Sequence, residues 1–269
     1  NLESTLGEKN FEAAKASTLN AHYTAIPVIA AMWRGMERLG LGKLEQAQVL
    51  DPSAGIGHFK SATPAELRGQ CKWTEIELDP TTASILRGLH PESKVFAAGY
   101  ENVNLPKGFF DVAMSNVPFG NYPVLFEGLP GYLRSSIHDF FFARTIDLLR
   151  PGGVMAFITS RYTLDKKDDK VRETLAEQCD LLAAVRLPNN AFMANAGTEV
   201  VTDILFLRKR FAPNKEMPAW AGVETQTLRH HERNWNEQAF WVNRYFHEHP
   251  ENILGIPAAS GTMYRNYEY

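Results

Sequence analysis

The residues of this chain that could do chemistry stand where short apolar runs stop. In "DVAMSNVPFG" the run Val112–Met114 ends at Ser115 and Asn116, and Val117, Pro118 and Phe119 follow. A carboxamide oxygen accepts a hydrogen from an NH₂ group, and the next carbonyl, that of Val117, can accept the other. Two acceptors on one amine fix its orientation and aim the nitrogen lone pair, the main requirement for attack on a methyl group. Pro118 restricts Val117 to extended conformations, the β-branch stiffens it, and Phe119 offers a face on which a planar amide or base can stack.

A second group is Asp51-Pro52-Ser53-Ala54-Gly55-Ile56-Gly57. Glycines after a strand let a ligand approach the backbone and supply amide donors. No Lys-Ser/Thr follows Gly57, so this is not a P-loop. Lys60 stands where a dinucleotide fingerprint has its third glycine. Asp51 puts a carboxylate where a pyrophosphate would sit, which suits a cationic or amine-bearing ligand. About twenty residues further on, Glu77 (before Leu78 and Asp79) is an acid at a strand end, placed for ribose hydroxyls. A nucleoside with a positively charged amino-acid arm and no phosphate is S-adenosylmethionine.

These groups need strands to carry them. Apolar spacing predicts a helix over 26–39, with Pro27 at its start and Gly40 past its end. Strands follow at "AQVLD", "CKWTEIELDP", "SKVFAAG", "FFDVAMS", "VMAFITS", "LLAAVRLP" and "VVTDILFLRK", with helices at 80–89, 136–149 and 168–178 between them. Alternating strands and helices imply βαβ units, a mostly parallel sheet and helices on both faces. The last two strands lack a helix between them and are expected to be antiparallel. Residues 1–24 read as an N-terminal extension and 25–210 as the α/β domain. Residues 211–269 read as an irregular appendage with a short helix near 236–248, joining to further parts of a longer protein.

Bulk composition excludes several classes. The 269 residues are 44% hydrophobic with a net charge of −3, so no overall basic surface draws nucleic acid; "LRKRFAPNK" (207–215) is a short basic patch. Cys71 and Cys179 are too few and too distant for a metal cluster or disulfide framework, which points to a reducing, cytoplasmic setting. No apolar run reaches membrane-spanning length. "DKKDDK" (165–170) reads as a solvated loop entering a helix rather than a metal site. His22, His58 and His138 read as packing or rim residues, and His230-His231 and His247/His249 lack partners at zinc spacing. Arg161 is expected on the rim with Asn116.

Together the motifs resemble the γ-class adenine-specific DNA methyltransferases, type I and Eco57I-like. His22-Tyr23-Thr24-Ala25 matches that family's aromatic-Thr-Pro segment, DPSAGIG its glycine loop, Glu77 its ribose acid and NVPF its Asn-Pro-Pro-aromatic tetrad. "LPNNAFMANAGTEVVTDILFLRK" (187–209) is similar to a block of type I modification subunits. "SIHDFFFARTIDLLRPGG", "NRYFHEHPENILG" and "MYRNYEY" resemble the methyltransferase segment of very large plasmid- and phage-borne proteins, which join it to a Strawberry-notch/SNF2-like helicase. The chain begins without Met and is expected to be cut from such a protein, bacterial, plasmid- or phage-encoded.

The resemblance implies a Rossmann-like class I fold of seven strands, one of them antiparallel, with S-adenosylmethionine as donor and adenine's exocyclic amine in DNA as acceptor. It implies no metal. It places the donor on Tyr23, Thr24, Asp51, Pro52, Ser53, Ala54, Gly55, Gly57, Glu77 and Leu78. It gives the acceptor amine to Asn116 and the Val117 carbonyl, with Pro118 between them and the base on Phe119. Three positions depart from the family pattern: Val117 for the first proline of the tetrad, Ala25 for the proline of the first segment, and Gly99-Tyr100-Glu101 for an Asp-Phe pair that meets the donor's adenine. Tyr100 or Glu101 is expected to take that last role. Methylation of a protein glutamine or an RNA base, or a silent scaffold that keeps the fold, are the competing readings. With no basic stripe, these residues are expected to bind duplex DNA weakly and to prefer a flipped or single-stranded adenine.

Overall fold

The computed structural model describes residues 24–192, 200–229 and 237–257. The first helix, α1 (Ile26–Arg38), buries Ile29, Met32, Trp33 and Met36, one face at helical spacing, and Pro27 stands in its first turn. Six further elements alternate after it: β1 (Ala47–Asp51), α2 (His58–Ser61), β2 (Cys71–Glu77), α3 (Pro80–Leu89), β3 (Lys94–Ala97) and β4 (Phe110–Asn116). Then come α4 (Ile137–Leu148), β5 (Leu149–Ser160), α5 (Tyr162–Asp165), α6 (Lys170–Gln178), β6 (Cys179–Leu187) and β7 (Thr202–Lys209).

The seven strands form one sheet in the order β3-β2-β1-β4-β5-β7-β6. Only β7 runs against its neighbours, pairing antiparallel with both β5 and β6. Strand side chains alternate between two cores. Val49, Val112, Met114, Ala156 and Ile158 pack with α1, and Leu50, Ala113, Met155 and Phe157 pack with α4. Strand order reverses between β1 and β4, so the carboxyl ends of these two strands flank a crevice.

The C-terminal stretch departs from the irregular appendage expected of it. Val223–Arg229 (β8) and Glu237–Asn243 (β9) pair as an antiparallel ribbon, and the helix α7 is shorter, Arg244–Glu248. Strand β9 reads inward-outward with period two: Phe240 and Val242 are buried, Ala239 and Trp241 exposed. Trp220, Ala221, Phe240, Val242 and Phe246 join the α4-side core.

This packing rests on a buried charge network. Arg186, wholly buried on β6, pairs with Asp203 on β7 and Asp165 on α5, both at 2.8 Å, and stacks on Phe246 at 4.2 Å. Asn243 donates to the carbonyls of Leu164 (3.0 Å) and Trp220 (2.8 Å), and its backbone N–H donates to Asp165 (3.0 Å). The "DKKDDK" run is therefore solvated only from Lys167 on: Asp165 belongs to the core network, and Lys166 pairs with buried Asp139 at 2.7 Å. Arg161 is folded in as well, against Asp165 and the ring of Tyr162, rather than presented on the rim. Among the described residues, no helix is long and apolar enough to cross a membrane and no acid, His and Cys cluster could hold a metal.

Candidate functional site

Asn116 ends β4 because the chain there turns off the sheet: Val117 N–H still donates to the Ile158 carbonyl of β5 (3.1 Å), and Pro118 then ends the pairing. The Val117 side chain is buried in the α4-side core. The Asn116 amide nitrogen donates to Thr24 Oγ1 at 3.1 Å, across 92 residues of sequence. Thr24 itself is buried, two residues before α1.

The glycine loop is tied to β2. Ala54 N–H donates to the Ile76 carbonyl, and Gly55 N–H donates to Glu77 Oε2, each at 2.9 Å. The other oxygen of Glu77 accepts from Asp79 N–H at 2.9 Å. Both oxygens retain a lone pair for a further donor, and burial holds the carboxyl above its ordinary range. Asp79 serves as the cap of α3, accepting from Thr82 N–H (2.8 Å) and its hydroxyl (2.6 Å).

These groups share one cleft of about 780 Å³. Thr24, Pro52, Ser53, Ala54, Gly55, Glu77, Leu78, Tyr100, Glu101, Asn116 and Pro118 all line it. Tyr100 is held at its floor by a hydrogen bond between its hydroxyl and Thr145 (3.0 Å) and by Phe141 at 4.9 Å.

Three residues read as site residues stand elsewhere. Asp51 is wholly buried behind the loop, where Oδ1 accepts from the Ser115 hydroxyl (2.7 Å) and Ser53 N–H (3.1 Å). Burial pushes its carboxyl up to about 8, against the opposing effect of the Ser115 bond, so at neutral pH it holds a proton. Gly57 is absent from the cleft wall; at φ +83°, its missing Cβ leaves room for His90 and Leu86, atoms of which would stand 2.5–2.7 Å away. Phe119 packs, half-buried, on the α1-side core, whereas Val117 was read for its carbonyl alone and its side chain lies in the α4-side core. Tyr23 lies outside the described residues, as do His22, His230 and His231.

The cleft has walls that sequence reasoning missed: Ile56, His58, Phe59, Asn102, Tyr122, Leu125, Ile137 and Phe141 among them. Tyr122 is the one with a recoverable signal, an aromatic six residues past Asn116 in a Gly-Asn-Tyr-Pro turn.

The space fits a nucleoside on three counts. Its volume is within the range of small-molecule sites, roughly 300–1,000 Å³. Gly55, at φ +56°, has open space where a side chain would stand. Glu77, on the wall, keeps a lone pair on each oxygen for a hydroxyl donor.

Comparison with known proteins agrees. The chain is 29% identical over 209 residues to the Defense against restriction protein B of Escherichia phage P1, which covers 76% of this chain and 9% of that protein. The fold is similar to that of a Listeria monocytogenes protein described as a class I S-adenosylmethionine-dependent methyltransferase (TM-score 0.59, 21% identity, 73% of this chain and 64% of that one). It is similar, too, to the methyltransferase subunit of a Streptococcus thermophilus type I restriction-modification system (TM-score 0.55, 19% identity, 70% and 44%). The chain thus spans less than a tenth of its phage relative's length. S-adenosylmethionine is the donor that the fold and site imply. With the family profile for N-6 DNA methylase matching residues 93–237, more than half of the chain and all of the Asn116 strand end, this protein belongs to the N-6 DNA methylase family.

Proposed function

We propose that this chain transfers a methyl group from S-adenosylmethionine to the exocyclic amine of adenine in DNA. The observation that carries the reading is the shared cleft: the β4 amide, Asn116, opens into the same space as the glycine loop and Glu77. When bound, the donor supplies an electrophilic methyl on a sulfonium. Glu77 takes its ribose hydroxyls, the loop, with no side chain at Gly55, lies along its amino-acid end, and Leu78, Tyr100 and Glu101 surround its base.

Asn116 and the Val117 carbonyl accept the two hydrogens of the target amine. That contact orients the nitrogen and raises its electron density as it attacks; the N–C bond forms as the methyl's bond to sulfur breaks to leave a neutral thioether, and the extra proton on nitrogen then leaves to solvent, so no general base is needed beforehand. An adenine reaches the cleft only when unstacked, which favours single-stranded or flipped targets. The rest of a longer protein, a helicase among its parts, would supply recognition or strand opening.

The test is methyl transfer by the full chain from isotopically labelled donor to single-stranded DNA with and without adenine, read as N6-methyladenine by liquid chromatography. Asn116→Ala should lower turnover roughly 100-fold or more with donor affinity unchanged. Label in protein or RNA and none in DNA would overturn the reading.

A further inference from the structure

Phe119, the ring expected to carry the base, packs on the α1-side core. Three residues further on, Tyr122 lines the cleft together with Pro118 and is 42% exposed. We propose that Tyr122 is the stacking platform for the acceptor base, in the role expected of Phe119. This rests on the function proposed above.

The loop is built to hold that ring. Pro123 restricts Tyr122 to extended backbone, as Pro118 does Val117. Gly120 makes room for it: a Cβ on Gly120 would overlap Cε1 and Cδ1 of the ring, so the ring lies directly against bare backbone. Gly120 is pinned in turn to the start of α4, where Ile137 N–H donates to its carbonyl (3.3 Å). Past Tyr122 the chain is tied down again. Val124 is buried and its N–H donates to the Arg134 carbonyl (2.9 Å). Phe126 packs on Phe140 (5.5 Å) and against the Arg144 guanidinium (4.5 Å). A ring braced on one side and set between two anchored stretches has little freedom left to lose when a base stacks on it.

Position assigns the ring to the acceptor rather than the donor. The loop leaves from the end of β4, the strand that carries Asn116, whereas Glu77 ends β2, two strands away across β1. On the donor's side the cleft already has an aromatic, Tyr100, held against Phe141. Stacking uses the face of the phenol and makes no demand on its hydroxyl.

The probes are a labelled abasic DNA strand carrying a single adenine and the same strand carrying none. Each is titrated with the full chain while S-adenosylhomocysteine, the donor's demethylated product, saturates the donor site. The wild type should bind the adenine strand more tightly. Tyr122→Ala should weaken that binding roughly 5- to 100-fold, the worth of one stacked base, and leave the wholly abasic strand within about twofold. Tyr122→Phe and Tyr122→Trp should bind as the wild type does. Gly120→Ala displaces the ring without removing it, so it should weaken the adenine strand as Tyr122→Ala does, and the double variant should be no weaker than Tyr122→Ala alone. Donor Kd by calorimetry should stay within about twofold throughout. Equal binding of both strands by the wild type, full affinity in Tyr122→Ala, or a loss confined to donor Kd overturns the inference. If the wild type forms no N6-methyladenine yet these affinities change as stated, the platform stands and the proposed transfer falls; if methylation proceeds and Tyr122→Ala does not impair it, the platform falls and the transfer stands.

Discussion

At the scale of single residues, the site separates into groups that face the cleft and groups that support it. Asp51 is the clearest supporter. Its folded value of about 8 lies above the ordinary 3.8, so the folded state keeps a proton that the unfolded chain releases. Its contribution therefore makes stability fall as pH rises from about 4 to about 8, by up to about 1.4 kcal/mol per pH unit. Asp51→Asn should remove that part of the slope in urea melts taken across this window; an unchanged slope would show the carboxyl titrating normally. Phe119 and Tyr122 make a second contrast. Phe119→Ala removes a half-buried ring from the α1-side core and should cost about 1–3 kcal/mol of stability. Tyr122→Ala, at a side chain 42% exposed on the cleft wall, should leave stability within about 0.5 kcal/mol and weaken acceptor binding, measured by fluorescence titration with single-stranded DNA. The residues at the strand ends were legible because each run stops at a residue that breaks it. Which of them face the cleft was not, since Asp51 and Gly57 are turned away by Ser115 and His90, partners remote in sequence.

At the scale of elements, the mostly parallel sheet followed from alternation and the antiparallel β6–β7 pair from the absence of a helix between them, and helices α1 and α3 lie where their spacing put them. The β8–β9 ribbon was less legible. Its period-two pattern is short and sits among prolines and aromatics, and its pairing spans residues that local propensity cannot connect. The Arg186 network was hidden for a similar reason: a lone arginine in an apolar strand gives no sign of carboxylates 17 and 21 positions away. Arg186→Ala would leave Asp165 and Asp203 buried without their cation. Thermal denaturation should then show a loss of about 3–5 kcal/mol, whereas Arg186→Lys, which keeps the charge but not the two-pronged geometry, should lose less.

At the scale of the whole molecule, the stretch after the last core strand closes the fold. The ribbon and α7 hang on Asn243 and Arg186, and the chain then runs past β6, the outermost strand of the sheet. There Ile253 makes a parallel bridge to Arg186, and Leu254 N–H donates to the Arg186 carbonyl at 2.9 Å. An uncovered edge strand offers a row of backbone donors and acceptors to any other extended chain. Residues 253 and 254 occupy that row at the carboxyl end of β6, beside Arg186, so an extended chain laid along that end meets backbone already paired. A second sheet adding at that end of β6 would first have to displace these two backbone contacts.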